Sequence, residues 1–237
     1  MGTLIGVGVS SYTNNAVGVA ESIGNLTAHY AAHSLDLSNN DPVENWGDES
    51  GIAEVTCLPG VTVNPDGATD TTANSNRPTY HQSVLNGYPV VRFTAANKQF
   101  LVDDVQASVS LSSAFFVIKF SESVFSDYDP LLSGRTTSAP IVGENATTNI
   151  YTVGWTASQY VDGVSGNDIS PMNNWHIVNM NRTSAISFGN LQFGHDRVFT
   201  TRWLDADIAE AVVYDEVLSV TQIQQVFTYL NNKYAVY

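Results

Sequence analysis

The strongest constraint on the fold lies late in the chain, between Trp203 and Tyr234. Ile208 to Tyr214 is a short run rich in Val and Ala, interrupted by Glu210. With a period of two, Ala209, Ala211 and Val213 share one face, and Ile208, Val212 and Tyr214 share the other. A strand that is apolar on both faces is covered on both sides, so it belongs inside a sheet. Five residues later, Ser219 and Gln222 have the spacing of a capping box, and Leu218 and Ile223 that of a hydrophobic staple, which together predict a helix start. Ile223, Val226, Phe227, Leu230 and Tyr234 then form a single apolar stripe that has to dock on something.

A chain of 237 residues with 43% hydrophobic content can fold as one large β domain with no disulfide or metal to hold it. Cys57 is the only cysteine, which excludes an intramolecular disulfide and Cys-based zinc spacing. The formal charge of −14 repels nucleic acid and anionic membranes, so neither is expected as a partner. No apolar run is long enough for a membrane-spanning helix, and membrane insertion is not expected. Residues 1 to 25 are rich in Gly, Ser, Val and Asn, lack the basic opening and unbroken apolar core of a signal peptide, and read as an arm or an added strand.

Between these ends, Pro89–Phe93, Gln99–Val102, Ala114–Phe120, Ile150–Thr156, Gln159–Asp162, His176–Asn181 and Ile186–Phe188 read as strands separated by turn residues. Thr56 to Asn76 reads as a long loop with at most one short strand at Val61–Val63. Helix is expected to be scarce outside the terminal segment.

Several motifs stand in one order along residues 26 to 237: Trp46-Gly-Asp-Glu-Ser-Gly51, Arg77-Pro-Thr-Tyr80, Asn86-Gly-Tyr-Pro-Val-Val-Arg-Phe93, Tyr160-Val-Asp-Gly163, Trp175-His-Ile-Val178 and the closing Asp207-Ile-Ala-Glu210 segment. In this order the chain resembles laminin-G-like, concanavalin A-like domains. The resemblance implies an all-β, two-sheet antiparallel jelly-roll sandwich with a C-terminal α-helix, a fold that hosts lectins, adhesion modules, glycanases and virion proteins.

The chemistry offered is sparse. Asp205, Asp207 and Glu210 have the spacing of a glucanase acid triplet but begin with Asp and sit on the closing strand, so catalysis is not expected. No nucleophile elbow or P-loop is present. His29 and His33 lack the glutamate of a zinc-protease motif and are expected to be solvated or hydrogen-bonded. Asp103, Asp104, Asp127 and Asp129 offer hard oxygens on predicted turns as calcium candidates, although none forms a self-sufficient calcium motif. Tyr151, Trp155 and Tyr160, with Asn149, Gln159 and Asp162, offer aromatic faces and polar edges for a sugar, although Tyr151, Val153 and Trp155 on one face are more often a core pattern than a binding platform.

Domains of this type that open on Met, with a leading arm and no export signal, resemble bacteriophage surface proteins. The expectation is therefore a non-enzymatic capsid decoration or fibre module at the virion surface. Its expected partners are capsid or tail proteins, copies of itself and host-surface glycans. A free extracellular lectin and a glycanase are the alternatives.

Overall fold

Apolar runs separated by turns build two antiparallel sheets, with helices on the outer face of one. The computed structural model describes residues 16–50, 54–56, 76–102, 109–134, 141–152, 157–197 and 201–237. The strands are β1 (Leu26–Ala31), β2 (Asn45–Gly47), β3 (Glu54–Thr56), β4 (Thr79–Leu85), β5 (Tyr88–Phe93), β6 (Leu101–Val102), β7 (Val109–Phe120), β8 (Pro130–Gly134), β9 (Ile141–Gly143), β10 (Ile150–Thr152), β11 (Ala157–Val161), β12 (Val164–Ser165), β13 (His176–Phe188), β14 (Leu191–Phe193) and β15 (Ala206–Tyr214), and the helices are α1 (Ala16–Ile23) and α2 (Val220–Tyr234). Among the described residues the larger sheet runs β12-β11-β13-β7-β15-β5-β4, with β1 also on β15, and the smaller runs β10-β9-β8-β14-β6-β3-β2. This is the expected two-sheet sandwich with its terminal helix. No described helix is long and apolar enough to cross a membrane.

The space between the sheets is filled by large side chains from both, including Tyr30, Trp46 and Phe193, whose rings lie 5.2 to 5.9 Å apart. A second apolar layer fills the outer face of the larger sheet, where Phe115, Val117, Ile177, Ala209, Val212 and Tyr214 meet Ile223, Val226, Phe227, Leu230 and Tyr234 of α2. The stripe read from the sequence is thus the docking face of the helix. Ser219 forms both halves of the capping box with Gln222. At the other end, Asn86 of the β4–β5 turn donates from Nδ2 to the carbonyl of Tyr234 (2.6 Å), satisfying one of the last acceptors of α2.

Strand β15 is an inner strand, as its composition predicts. One edge pairs with β7, and the other is divided between β5 at Ala206–Ile208 and β1 at Glu210–Tyr214. Its faces, however, differ from simple alternation. The register against β7 shifts between Ile208 and Glu210, so Ile208, Ala211 and Val213 face the inter-sheet core while Ala209, Val212 and Tyr214 face α2. An extra residue at a bulge changes the phase of all that follows, and here it turns Glu210 toward the helix layer.

Two further expectations change. His176–Asn181 and Ile186–Phe188 are parts of one long strand, β13, whose pairing with β7 shifts register between Asn181 and Ile186. Within the stretch read as an arm or added strand, residues 16–23 form α1, because Ala20 is buried against the α2 layer and its carbonyl accepts from the Tyr214 hydroxyl (3.2 Å). The Ile23 carbonyl likewise accepts from Gln222 Nε2 (2.6 Å). Residues 1–15, and the short strand expected at Val61–Val63, lie outside the described residues.

Candidate functional site

The bulge in β15 turns a carboxylate into a dense cluster of polar side chains. Glu210 has no solvent exposure, yet its carboxylate receives four donors. His29 Nε2 (2.8 Å) and the Tyr229 hydroxyl (2.8 Å) reach Oε1, and Lys233 Nζ (2.5 Å) and the Tyr234 hydroxyl (2.7 Å) reach Oε2. A carboxylate only accepts, so the His29 ring carries its proton on Nε2. Burial pushes the Glu210 carboxyl up, but the Lys233 ammonium and the His29 hydrogen bond outweigh it and hold the group well below the usual carboxylate range. The phenols of Tyr229 and Tyr234, raised by burial and by the Glu210 charge, stay protonated as donors.

The positioning of this cluster follows from the local sequence. Tyr229 and Lys233 stand four apart on α2 and so share a helix face. His29 is on β1, and two residues of the Trp-Gly-Asp-Glu motif clasp it: Asp48 Oδ1 accepts from the His29 amide (2.6 Å), and the Glu49 amide donates to the His29 carbonyl (2.7 Å). The Glu49 carboxylate lies 3.8 Å from His29 Nδ1 and 3.7 Å from His33 Nε2, and burial raises its pKa. The second contact is no ion pair at neutral pH, because burial, reinforced by Lys233, lowers the His33 pKa to about 4. The two histidines are thus hydrogen-bonded or buried members of a network and not a helical metal pair.

This cluster forms part of the wall of a groove of about 910 Å³ between α1 and α2. His33, Tyr229 and Lys233 belong to both cluster and groove, and Tyr88, Val220, Gln224, Gln225, Thr228 and Asn232 are further lining residues. Aromatic rings beside amides and hydroxyls suit a ligand with apolar faces and polar edges.

Two members of the acid triplet are held by internal partners. Asp207 is gripped by the Arg92 guanidinium in two parallel bonds of 2.6 and 2.8 Å, and Glu210 is the buried hub rather than a solvated residue at a strand edge. Asp205 is half-buried at the start of the segment.

The five described residues among the six considered for sugar contact are divided between the two sheets. Asn149 and Tyr151 are at β10 in the smaller sheet, whereas Gln159, Tyr160 and Asp162 belong to the β11–β12 hairpin of the larger one. Tyr151 is exposed, but Tyr160 packs toward Phe227 under α2 (6.4 Å between rings). Gln159 Nε2 donates to the Ile150 carbonyl (3.3 Å) and Asn149 Nδ2 to Glu144 (3.3 Å). Asp162 accepts from His176 Nδ1 and from the Ile177 amide, both at 2.8 Å, which fixes the hairpin to its neighbouring strand. Trp155 lies outside the described residues, as do Asp103 and Asp104.

No protein-family model matches the chain, and no curated protein does. Among solved structures it is similar to domain 4 of AbnA, a GH43 extracellular arabinanase from Geobacillus stearothermophilus, in complex with arabinotriose, with 14% identity, a TM-score of 0.51, and 85% of this chain and 98% of that domain covered. It is also similar to Trypanosoma rangeli sialidase in complex with 2,3-difluorosialic acid (12% identity, TM-score 0.43) and to Trypanosoma rangeli sialidase (13%, 0.38). Those two matches cover 88% of this chain but 33% of the sialidase chain. At 14% identity the arabinanase domain speaks for a shared sandwich fold. It also corrects the expectation of a capsid decoration or fibre module, since the fold matched is that of a domain from an arabinanase.

Of the calcium candidates, Asp127 Oδ1 accepts from the Tyr128 amide (2.7 Å), and Asp129 is buried. Among the described residues no group of three or more His, Cys, Asp or Glu is placed to hold a metal. Burial, with Glu122 and Asp127 nearby, raises the Asp129 pKa from 3.8 to about 8. The folded state therefore keeps a proton that the unfolded chain releases, so stability is full below about 3.8 and declines as pH rises toward about 8. Asp129→Asn should raise the Tm by a few degrees at pH 7.5 and leave it nearly unchanged at pH 4. Paired thermal melts at the two pH values check this, and equal shifts at both would contradict it.

Proposed function

We propose that the chain is a non-catalytic carbohydrate-binding module of the laminin-G-like, concanavalin A-like type, which holds a saccharide in the groove between α1 and α2. The observation that carries this reading is the groove lining: the rings of Tyr88 and Tyr229 stand with the amides of Gln224, Gln225 and Asn232 and the hydroxyl of Thr228. A sugar ring presents apolar C–H faces to aromatic rings and hydroxyl edges to amides. The family-level part of the proposal is supported by contacts between its motifs, in which Arg92 grips Asp207, Asn86 caps α2, and Asp48 holds the His29 backbone. The non-catalytic part is supported by the commitment of both Asp207 and Glu210 to internal partners.

Titration calorimetry against a panel that includes arabinotriose, xylotriose and maltotriose tests the reading. At least one ligand should saturate at 1:1 without release of reducing ends. Thr228→Arg, an exposed change that fills the groove, should weaken binding roughly tenfold or more with an unchanged melt, while Tyr151→Ala should leave binding intact. Absence of binding across the panel, or turnover of a bound glycan, would overturn it.

A further inference from the structure

We infer that the groove between α1 and α2 selects uncharged saccharides over those bearing a carboxylate, an inference that rests on the glycan-binding reading of the same groove. The chain has 23 acidic residues and a net charge of −14, yet among the described side chains none that lines this groove is acidic. Lys233 is the one permanently charged residue among the described lining side chains. That ammonium is already matched, one charge for one, by the fully buried Glu210 carboxylate at 2.5 Å, and it also lies over the rings of Tyr234 (5.1 Å) and Tyr229 (5.7 Å).

The other titratable imidazole in the wall brings no charge at neutral pH. His33 is faced by Lys233 from α2, Glu210 from β15, His29 from β1 and Glu49 from the turn after β2, and burial with Lys233 keeps its pKa near about 4. The described lining is therefore electroneutral. A ligand carboxylate entering it would lose hydration with no free cation among the described side chains to replace it, and it would approach the buried Glu210 and the half-buried Glu49 behind the wall.

Hydrogen-bond roles point the same way. The Ser22 and Thr228 hydroxyls already donate to the carbonyls of Val19 and Gln224 (both 2.8 Å), and Gln224 Nε2 donates to that of Gly163 (3.0 Å), so these groups offer a ligand chiefly acceptors, while the amides of Gln225 and Asn232 and the hydroxyl of Thr221 are of types that donate and accept. Sugar hydroxyls donate as well as accept, so they can meet both the acceptors and the donors of this lining. An ionised carboxylate only accepts and leaves the acceptor halves of those groups unmatched.

The test compares arabinotriose and xylotriose with trigalacturonate and sialyllactose by calorimetry on the full chain at pH 7, in low and high salt. The neutral sugars should bind roughly tenfold or more tightly than the acidic ones, with an affinity that salt leaves unchanged. Thr228→Lys, which places an unmatched ammonium at the rim, should narrow that gap and make acidic-sugar binding salt-sensitive. If an acidic sugar binds the unaltered protein as well as a neutral one, the selectivity is wrong while glycan binding stands. If nothing binds, and Thr228→Arg instead changes the sedimentation of the protein, a second copy covers the groove and both readings fall.

Discussion

Replacing Glu210 with alanine is expected to destabilise the fold by about 3–5 kcal/mol, roughly 10 °C in Tm. The side chain is fully buried, and its loss strands an ammonium, an imidazole N–H and two phenols that all point at one spot. Because the folded pKa lies below the unfolded value of 4.5, this stabilisation is present above that value and is lost as pH falls below it. The Tm gap between the unaltered protein and Glu210→Gln should thus narrow on acidification from pH 6 to pH 3. Removing both charges in Glu210→Leu with Lys233→Met should recover only the part of the loss that comes from the stranded ammonium, because the His29 N–H and the two phenols still lack their acceptor. Equal melts for Glu210→Ala and the unaltered chain would show that the carboxylate does not pin α2.

Phe227→Ala should cost a comparable amount, about 3–5 kcal/mol, for an apolar reason. Its ring is 1% exposed and meets Phe115 edge-on at 5.6 Å, so truncation leaves a cavity between α2 and the larger sheet. Leu230→Ala, in the same buried stripe, is expected at about 2–5 kcal/mol, and Leu230→Met at under about 1.5 kcal/mol because volume is conserved. Denaturant unfolding orders the three variants. An order in which Met costs as much as Ala would mean that the helix is not seated by packing. Since α2 also carries one wall of the groove, Phe227→Ala should weaken saccharide binding at temperatures where the domain is otherwise folded.

The parts of the fold that were legible in the sequence are those set by near neighbours. The Ser219–Gln222 capping box, the stripe on α2 and the strand from Pro89 to Phe93 depend on spacings of a few residues, and each stands where its spacing places it. Strand β15 was legible as an inner strand, but not its faces, because the bulge after Ile208 carries no Gly or Pro to mark it. α1 was missed because an eight-residue Ala- and Val-rich segment has no long periodic pattern, and its docking partners, Tyr214 and Gln222, lie some 200 residues away. The hub was hidden for a related reason. His29 is 181 residues from Glu210, and no local pattern joins them. A signal was nonetheless present: a carboxylate within the apolar run of a strand covered on both faces requires buried donors, and the Tyr229–Lys233 pair on the following helix was the nearest source.

The place of β15 between β7, β5 and β1 also bears on how the chain folds as it leaves the ribosome. All three partners are synthesised before it, and until Glu210 to Tyr214 arrive, facing edges of β7 and β1 have unsatisfied backbone groups. The sheet cannot zip up strand by strand in order of synthesis; its middle comes late, through contacts spanning most of the chain. Such contacts impose a large loop-closure cost before they return any stabilisation, so folding should be slow for a domain of this size. In the interval the nascent sandwich exposes sheet edges to other chains, which makes its yield in cells sensitive to synthesis rate and chaperone supply.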